Sequence, residues 1–285
     1  MKLLMTMSVA SAAIYDGQTG SPKVDILVDN CWSNVTIGIQ GKRAMVITTS
    51  HGEPLENGDK TGVCLQEAAD PYYVYLDSGA DVDIVSINGG KIPYDTKPPT
   101  KNVRRFLEDK EAMSKLNNST KIDDVNFDDY DLVFMSGGWG AAFDLPTSEV
   151  LGAKVAKALS TGRPMIASTC HGALGFVQAN RTDGTPFVKG VTMTGVTNKQ
   201  IEKLGIEKYT PYHPENELKS LGADFQCIHG TSILFGDVAA TSTSVGYIQS
   251  VSESGENVTS IIVTGQNQCA SCVVAQRQIQ FFVGA

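Results

Sequence analysis

The sequence contains no apolar run long enough to cross a membrane as a helix, so nothing in it predicts an integral membrane protein. It lacks the two pairs of closely spaced cysteines that hold a structural zinc ion. It also lacks positive charge: the formal net charge is −8 at pH 7, which excludes an electrostatic nucleic-acid binder. No internal repeat or low-complexity tract is present. These absences leave a globular protein with no predicted nucleic-acid or membrane partner.

The 285 residues, 41% of them hydrophobic, are sufficient for one large domain with a sizeable core. Apolar strand patterns alternate with helical patterns along the chain, which favours a mostly parallel sheet with helices on both faces. The predicted fold is therefore α/β, a flavodoxin-like three-layer sandwich. The predicted strands are 44–49, 82–87, 132–135, 165–168, 191–194 and 260–265. The predicted helices are 61–76, 147–160, 198–204, 214–221 and 270–282.

We divide the chain into an N-terminal extension, residues 1–42, and a single domain, residues 43–285. The domain carries two inserts, at about 91–129 and 228–258. The first is long and charged, contains a helical patch from Val103 to Leu116, and has the length expected of a cap or lid. The second includes a predicted β-hairpin over 232–251.

The N-terminus leaves the cellular compartment open. Residues 1–13 resemble a signal peptide ending in Ala10-Ser11-Ala12, but they are shorter than the usual ~15–30 residues. A reactive thiol would suit a reducing compartment better. We therefore predict a cytoplasmic protein, with secretion as the alternative. Five Asn-x-Ser/Thr sequons support the alternative: Asn34, Asn117, Asn118, Asn180 and Asn257.

The most informative stretch is a short buried strand, Met165 to Ser168, that runs into Cys170. His171 follows the cysteine, and Gly172 and Ala173 are small enough to let a helix pack close to the turn. This order is typical of a nucleophile elbow, where a strained residue projects its side chain above the sheet. A helix N-terminus at this point would favour a thiolate. The alternative is a buried structural cysteine.

A second turn, Gly137-Gly138-Trp139-Gly140, follows the predicted strand 132–135. Ligands of open parallel sheets bind beyond the carboxyl ends of the strands, where this turn and Cys170 would meet. Its backbone N–H groups, with those of the elbow at Gly172, could therefore hold an oxyanion or a substrate. The alternative is an ordinary turn whose positive φ angles require glycine.

Other residues that could bind metal or carry redox chemistry form no convincing set. Cys269 and Cys272 are the only C-x-x-C pair, and they lie where the last helix begins. Packing at a helix start is favoured over a redox motif. The remaining histidines, His51, His213 and His229, show no metal-ligand pattern, so no metal is predicted.

The motifs occur in an order that resembles one family. The Cys170-His171-Gly172 elbow and the Gly137-Gly138-x-Gly140 turn resemble the ThiJ/PfpI superfamily, which has the class I glutamine-amidotransferase-like fold. The similarity is greatest to its heat-shock, glutathione-independent glyoxalase III branch and covers roughly residues 43–283. The other matching motifs are Lys60-Thr61-Gly62-Val63 with Glu67, Phe143-Asp144 with Pro146, Thr194-Gly195, and Thr264-Gly265-x-Asn267.

The resemblance implies that Cys170 is the nucleophile, that Glu67 is the carboxyl group beside it, and that His171 moves protons. A carboxyl group that faces a thiolate should have a raised pKa. The implied activity is the conversion of a 2-oxoaldehyde, methylglyoxal to lactate, or a deglycase-like reaction, without metal or organic cofactor. The resemblance also implies a stress-response role and a homodimer. Without it, Glu67 would be interpreted as a surface residue.

Two departures from the family pattern bear on activity. Trp139 replaces the histidine that this branch usually has in Gly-Gly-His-Gly, which affects substrate choice. Asn198 follows Thr194-Gly195-Val196-Thr197, where the family often places an acid; Glu202 is the nearest acid, so no full Cys-His-acid triad is assigned. Two other functions stay open: a chaperone or redox sensor that oxidises Cys170, and a peptidase or amidase of the same fold.

Overall fold

The computed structural model of the chain describes residues 37–95, 100–227, 243–252 and 255–284. The strands are β1 (Arg43–Thr48), β2 (Val63–Cys64), β3 (Asp81–Ser86), β4 (Tyr94–Asp95), β5 (Thr120–Lys121), β6 (Leu132–Met135), β7 (Met165–Thr169), β8 (Thr192–Met193), β9 (Asp224–Phe225), β10 (Thr243–Val251) and β11 (Asn257–Gly265). The helices are α1 (Leu65–Asp77), α2 (Lys101–Glu108), α3 (Lys110–Asn117), α4 (Ala141–Asp144), α5 (Glu149–Thr161), α6 (Asn198–Lys203), α7 (Pro214–Ser220) and α8 (Ser271–Gly284).

Seven strands form the central sheet in the order β10-β11-β7-β6-β1-β3-β5. All neighbours are parallel except β10 and β11, which pair antiparallel at one edge. The strand order runs in opposite directions on the two sides of the β1–β6 pair. This is the topological switch point at which doubly wound sheets bind ligands.

Strand β1 shows how the sheet separates two halves of the core. Its side chains alternate, so Ala44 and Val46 belong to the cluster that includes α1 and α8, while Met45 and Ile47 belong to the cluster that includes α5. Alternation across a pleated strand requires an apolar layer on each face. The predicted α/β sandwich with a mostly parallel sheet is thus confirmed.

Two predicted helix starts are wrong. Helix α1 begins at Leu65 rather than residue 61, because Val63 and Cys64 instead pair with β4 in a small parallel sheet. Pro71 lies inside α1, which continues through it. Helix α5 is capped by Ser148 rather than Thr147, since the Ser148 hydroxyl accepts a hydrogen bond from the Leu151 N–H at 3.2 Å.

The described part of the first insert packs beside α1. The predicted helix from Val103 to Leu116 is divided at Asp109, whose side chain accepts hydrogen bonds from the N–H groups of Glu111 and Ala112 and so caps a second helix, α3. Val103 and Leu116 are fully buried in the same cluster as α1. The insert therefore extends the core beside α1, and its role as a cap or lid stays a prediction.

The predicted hairpin over 232–251 lies partly outside the described residues. Its described part, β10, pairs antiparallel with the last strand, β11. Strand β8, predicted for the main sheet, pairs with β9 in a separate two-stranded sheet. The predicted signal peptide lies outside the described residues. Within the described ranges, no helix is both long and apolar enough to span a bilayer.

Candidate functional site

Cys170 lies at the end of β7, where the chain turns sharply. Its φ of +56° is the only positive value at a non-glycine residue among those described. An L-residue in this region is strained and is held there by its surroundings. A 3₁₀ segment, Cys170–Phe176, follows instead of the predicted α-helix. The predicted elbow backbone is therefore present at Cys170.

Gly172 explains why the elbow needs small residues. A Cβ atom at Gly172 would collide with the carbonyl oxygen of Met135 at the end of β6. The 3₁₀ segment is thus pressed against the neighbouring strand, as the elbow prediction requires. An oxyanion role for Gly172 stays a prediction.

The thiol of Cys170 is buried, with 7% of the residue exposed. Burial is the main cause that raises its pKa well above the ordinary cysteine value, and the nearby Glu67 raises it further. The N–H groups of His171 and Gly138 hydrogen-bond to the sulfur and lower the pKa by less. The expected thiolate at a helix N-terminus is therefore wrong for the resting protein, in which desolvation exceeds the helix effect.

Glu67 lies in the first turn of α1 and is 1% exposed. Its Oε2 accepts hydrogen bonds from the Thr169 hydroxyl at 2.8 Å and the Gly137 N–H at 3.1 Å, and its carboxyl group also bonds to the Cys170 thiol. Burial raises the pKa of Glu67 to about 7, even though these hydrogen bonds lower it. The carboxyl group therefore exchanges its proton near neutral pH, beside the sulfur.

Thr169 is a site residue that the sequence analysis misses. It is fully buried at the end of β7, and its hydroxyl fixes the Glu67 carboxyl group. Its position immediately before the elbow cysteine was the available signal. A threonine there can direct its hydroxyl below the turn while Cys170 projects above it.

The Gly138 turn approaches the thiol closely. Gly138 has φ +100°, and a Cβ atom on it would collide with the backbone nitrogen of Cys64. Only glycine therefore fits here. Because Gly138 has no side chain, its N–H group can approach the sulfur. The N–H groups of Gly138 and His171 both hydrogen-bond to the sulfur, and a pair of such donors can hold an oxyanion that forms beside it.

His171 is buried beside the cysteine, with its Nδ1 3.5 Å from the sulfur. Burial lowers the pKa of His171 to about 3, with a smaller contribution from the nearby His213. Its Nε2 has no hydrogen-bond partner within the part of the chain that the structure describes. The imidazole is therefore neutral at physiological pH.

No carboxylate among the described residues orients His171 as in a triad. Glu202 is exposed on α6. Asn198, at the position where the family often has an acid, uses its N–H to donate to Glu215 at 2.8 Å. His213 and Glu215 form one His-x-Glu pair in the sequence. The His213 ring nitrogen Nε2 contacts the Glu207 carbonyl, and the Glu215 carboxylate pairs with Lys219.

Trp139 is placed beside the thiol, as its substrate-binding prediction requires. Its indole N–H donates to the Thr210 hydroxyl at 2.9 Å. The ring packs against the apolar cluster that includes the cysteine itself: Cys170, Val196, Ile201 and Ile206. One side of the site is therefore hydrocarbon.

Gly140 and His51 lie together at the other side of the turn. The Gly140 N–H donates to the Gly62 carbonyl at 2.9 Å, so it is not available to a substrate in this structure. The His51 ring stacks on Phe143 with centroids 4.0 Å apart. Asp144 holds the loop before His51 by accepting the Ser50 N–H at 2.7 Å. These contacts support the turn and do not reach the sulfur.

The C-x-x-C pair is not a dithiol or a disulfide with itself. Cys272 is in a disulfide, whereas Cys269 carries a thiol. Cys272 lies in the first turn of α8 and is 1% exposed. This supports the packing interpretation over the redox one. Among the described residues, no group of three or more His, Cys, Asp or Glu side chains could hold a metal ion.

A cysteine on a strained turn after a strand, next to the switch point of a doubly wound parallel sheet and beside a buried carboxyl group, defines a nucleophile-elbow α/β protein. The model of the DJ-1/PfpI family matches residues 61–210, more than half of the chain. The chain therefore belongs to the DJ-1/PfpI family, and the family resemblance predicted from its motifs is confirmed.

Known relatives point in the same direction. The chain is 30% identical to Glyoxalase 3 of Candida albicans over 176 residues, which is 58% of this chain and 72% of the relative. It is also 30% identical to a glutathione-independent glyoxalase of Schizosaccharomyces pombe over 177 residues, 59% and 73% of the two chains. The crystal structure of glyoxalase III from Candida albicans superposes with a TM-score of 0.68 at 24% identity, covering 84% of this chain and 96% of that one. This last comparison supports the fold.

Proposed function

We propose that the protein is a cofactor-free, glutathione-independent glyoxalase that converts a 2-oxoaldehyde, such as methylglyoxal, into a 2-hydroxy acid, such as lactate. The observation that carries this proposal is the hydrogen-bonded pair of Cys170 and Glu67, with two backbone N–H groups converging on the sulfur. Its relatives named as glyoxalases support the same reaction.

The first step forms a hemithioacetal. The thiol proton of Cys170 passes to Glu67 as the sulfur adds to the aldehyde carbon. The aldehyde oxygen becomes an oxyanion that is held by the N–H groups of Gly138 and His171. It then takes the proton from Glu67, which completes the hemithioacetal and returns Glu67 to its carboxylate form. A base with a pKa near 7 is well matched to this exchange at neutral pH.

The second step moves a proton between the two substrate carbons. The hydrogen on the former aldehyde carbon leaves as a proton, which gives an enediol, and a proton returns to the neighbouring ketone carbon. Glu67 is the main carrier, because its pKa is about 7 whereas that of His171 is about 3. His171 acts as a neutral relay next to the sulfur. The product is a Cys170 thioester of the 2-hydroxy acid.

Water then cleaves the thioester, releases the 2-hydroxy acid and restores the thiol. The net reaction adds one water to the oxoaldehyde and needs no electron acceptor. The test is lactate formation from methylglyoxal without glutathione. Cys170→Ala should abolish it and Glu67→Gln should reduce it by at least a factor of about 100. Normal turnover by Cys170→Ala would reject the proposal.

The compartment and the assembly belong to the same proposal. The disulfide at Cys272 favours an oxidising compartment, and the sequon asparagines that the structure describes are exposed: Asn117, Asn118, Asn180 and Asn257. Both features support the secretion alternative over the cytoplasm. Glycosidase treatment of protein from its native host should lower its mass; an unchanged mass and an intact Met1 would favour the cytoplasm. The proposed homodimer is tested by sedimentation equilibrium.

A further inference from the structure

The thiol of Cys170 lies between a polar side and an apolar side. The polar side holds the Glu67 carboxyl group and the N–H groups of Gly138 and His171. The apolar side is formed by Trp139, supported by three side chains that are each at most 4% exposed. These three are Val196, Ile201 and Ile206. A substrate bound to the sulfur would therefore meet hydrogen bonds on one side and hydrocarbon on the other.

The indole ring is fixed in place and has no polar group left to offer. Its only donor is used by the Thr210 hydroxyl at 2.9 Å, and that hydroxyl in turn donates to the Ile206 carbonyl at 2.9 Å. Thr210 is 6% exposed, so water competes little for this bond. Trp139 itself is only partly buried, so its ring retains surface that a ligand can cover.

Helix α6 carries Ile201, and the chain on either side of it carries Val196 and Ile206. Thr197 and Gln200 form a reciprocal capping box at its start, which fixes the turn that carries Ile201. Val196 lies immediately before this cap, and its N–H bonds to the Cys170 carbonyl at 3.4 Å. The apolar side is thus tied to the elbow itself, so its distance from the sulfur does not depend on a mobile contact.

We infer that the Trp139 surface selects 2-oxoaldehydes whose ketone carbon bears an apolar group larger than methyl, and above all an aryl group. This inference rests on the proposed glyoxalase function. The two carbonyl oxygens of such a substrate would face the polar side, and its substituent would stack on the indole ring. Because a buried methylene contributes about a factor of 10 or more in kcat/KM, phenylglyoxal should exceed methylglyoxal by at least about 10-fold.

Phenylglyoxal is also a stronger electrophile, so the test compares variants and not only substrates. The ratio of kcat/KM for phenylglyoxal over methylglyoxal is measured for the wild type, Trp139→Phe and Trp139→His. The phenylalanine variant should keep the ratio within about 3-fold, since the ring stays apolar. The histidine variant should lower it by about 10-fold. Thr210→Val, which frees the indole N–H, should lower it by an intermediate amount.

A second readout separates failure of this inference from failure of the proposed function. Peptide mapping measures how fast Cys170 is alkylated by N-phenylmaleimide relative to N-ethylmaleimide, with melting temperatures to confirm that each variant is folded. If the protein turns over neither aldehyde, the glyoxalase proposal fails. Even then, faster alkylation of Cys170 by N-phenylmaleimide in the wild type, lost in Trp139→His, would support the apolar site. If the histidine and phenylalanine variants give equal ratios in both assays, the inference is overturned.

Discussion

Replacement of Glu67 by glutamine should make the protein less active and, at alkaline pH, more stable. The pKa of Glu67 is about 7 in the folded protein, against an ordinary value of 4.5. Between these two values the native state binds more protons than the unfolded chain, so this group lowers stability as pH rises. The pKa difference of about 2.5 corresponds to about 3 kcal/mol above pH 7.

Glutamine preserves the shape of the carboxyl group but cannot ionise. Its side-chain oxygen can still accept from the Gly137 N–H and the Thr169 hydroxyl, the two bonds that Glu67 makes at 3.1 and 2.8 Å. At pH 5 the variant and the wild type should therefore differ by less than about 1 kcal/mol. At pH 8.5 the variant should be more stable by up to about 3 kcal/mol.

The assay is urea unfolding at pH 5 and pH 8.5, with free energies of unfolding extrapolated to water. The difference between variant and wild type removes the contributions of Asp144, whose pKa is raised to about 6, and of the neutral His171. Glu202→Gln, at an exposed site, is the matched control and should show no pH-dependent difference. A Glu67→Gln variant with the same stability difference at both pH values would refute the assigned burial of this carboxyl group.

Two further substitutions test the turn and the disulfide. Gly138→Ala places a Cβ atom against the Cys64 nitrogen, whereas Gly184→Ala has a similar positive φ but nothing within 4 Å; we expect Gly138→Ala to lose about 2 kcal/mol more in chemical unfolding, and equal losses would contradict the steric argument. Cys272→Ser should lose about 2–5 kcal/mol with the disulfide, while Cys269→Ser should stay within about 1 kcal/mol. If reductant lowers the melting temperature of neither the wild type nor Cys269→Ser, the disulfide does not stabilise the fold.

Local patterns predict the elbow and the sheet well, because their signals lie within short segments. The apolar run from Met165 to Ser168 and the small residues after Cys170 specify a strand followed by a tight turn. The structure places that strand at the centre of the sheet and gives Cys170 a φ of +56°. Glu67, in contrast, was predicted by the family resemblance alone, since no local pattern indicates that a glutamate in the first turn of a helix is buried.

The errors arise where distant residues decide the outcome. Val63 and Cys64 leave the predicted helix because Tyr94 and Asp95 offer them a strand partner. The prediction of a thiolate at Cys170 rests on the turn alone. It leaves out the burial of the thiol by the rest of the chain, and this burial is the main cause of the raised pKa. The Trp139–Thr210 hydrogen bond spans 71 positions. Side-chain pairing over such separations depends on the assembled fold and leaves no sequence period to detect.

The protonation state of the Cys170–Glu67 pair at rest distinguishes an enzyme from a redox sensor. The pKa of the thiol lies well above its ordinary value and that of the carboxyl group is about 7, so the resting pair contains a thiol. A transfer of the thiol proton to Glu67 is therefore unfavourable in the resting site. A peroxide sensor, however, needs a standing thiolate. Cys170 should therefore gain oxygen from dilute peroxide at pH 7.4 more slowly than a free cysteine, as followed by intact mass; faster oxidation would favour the sensor and show that the thiol is ionised at rest.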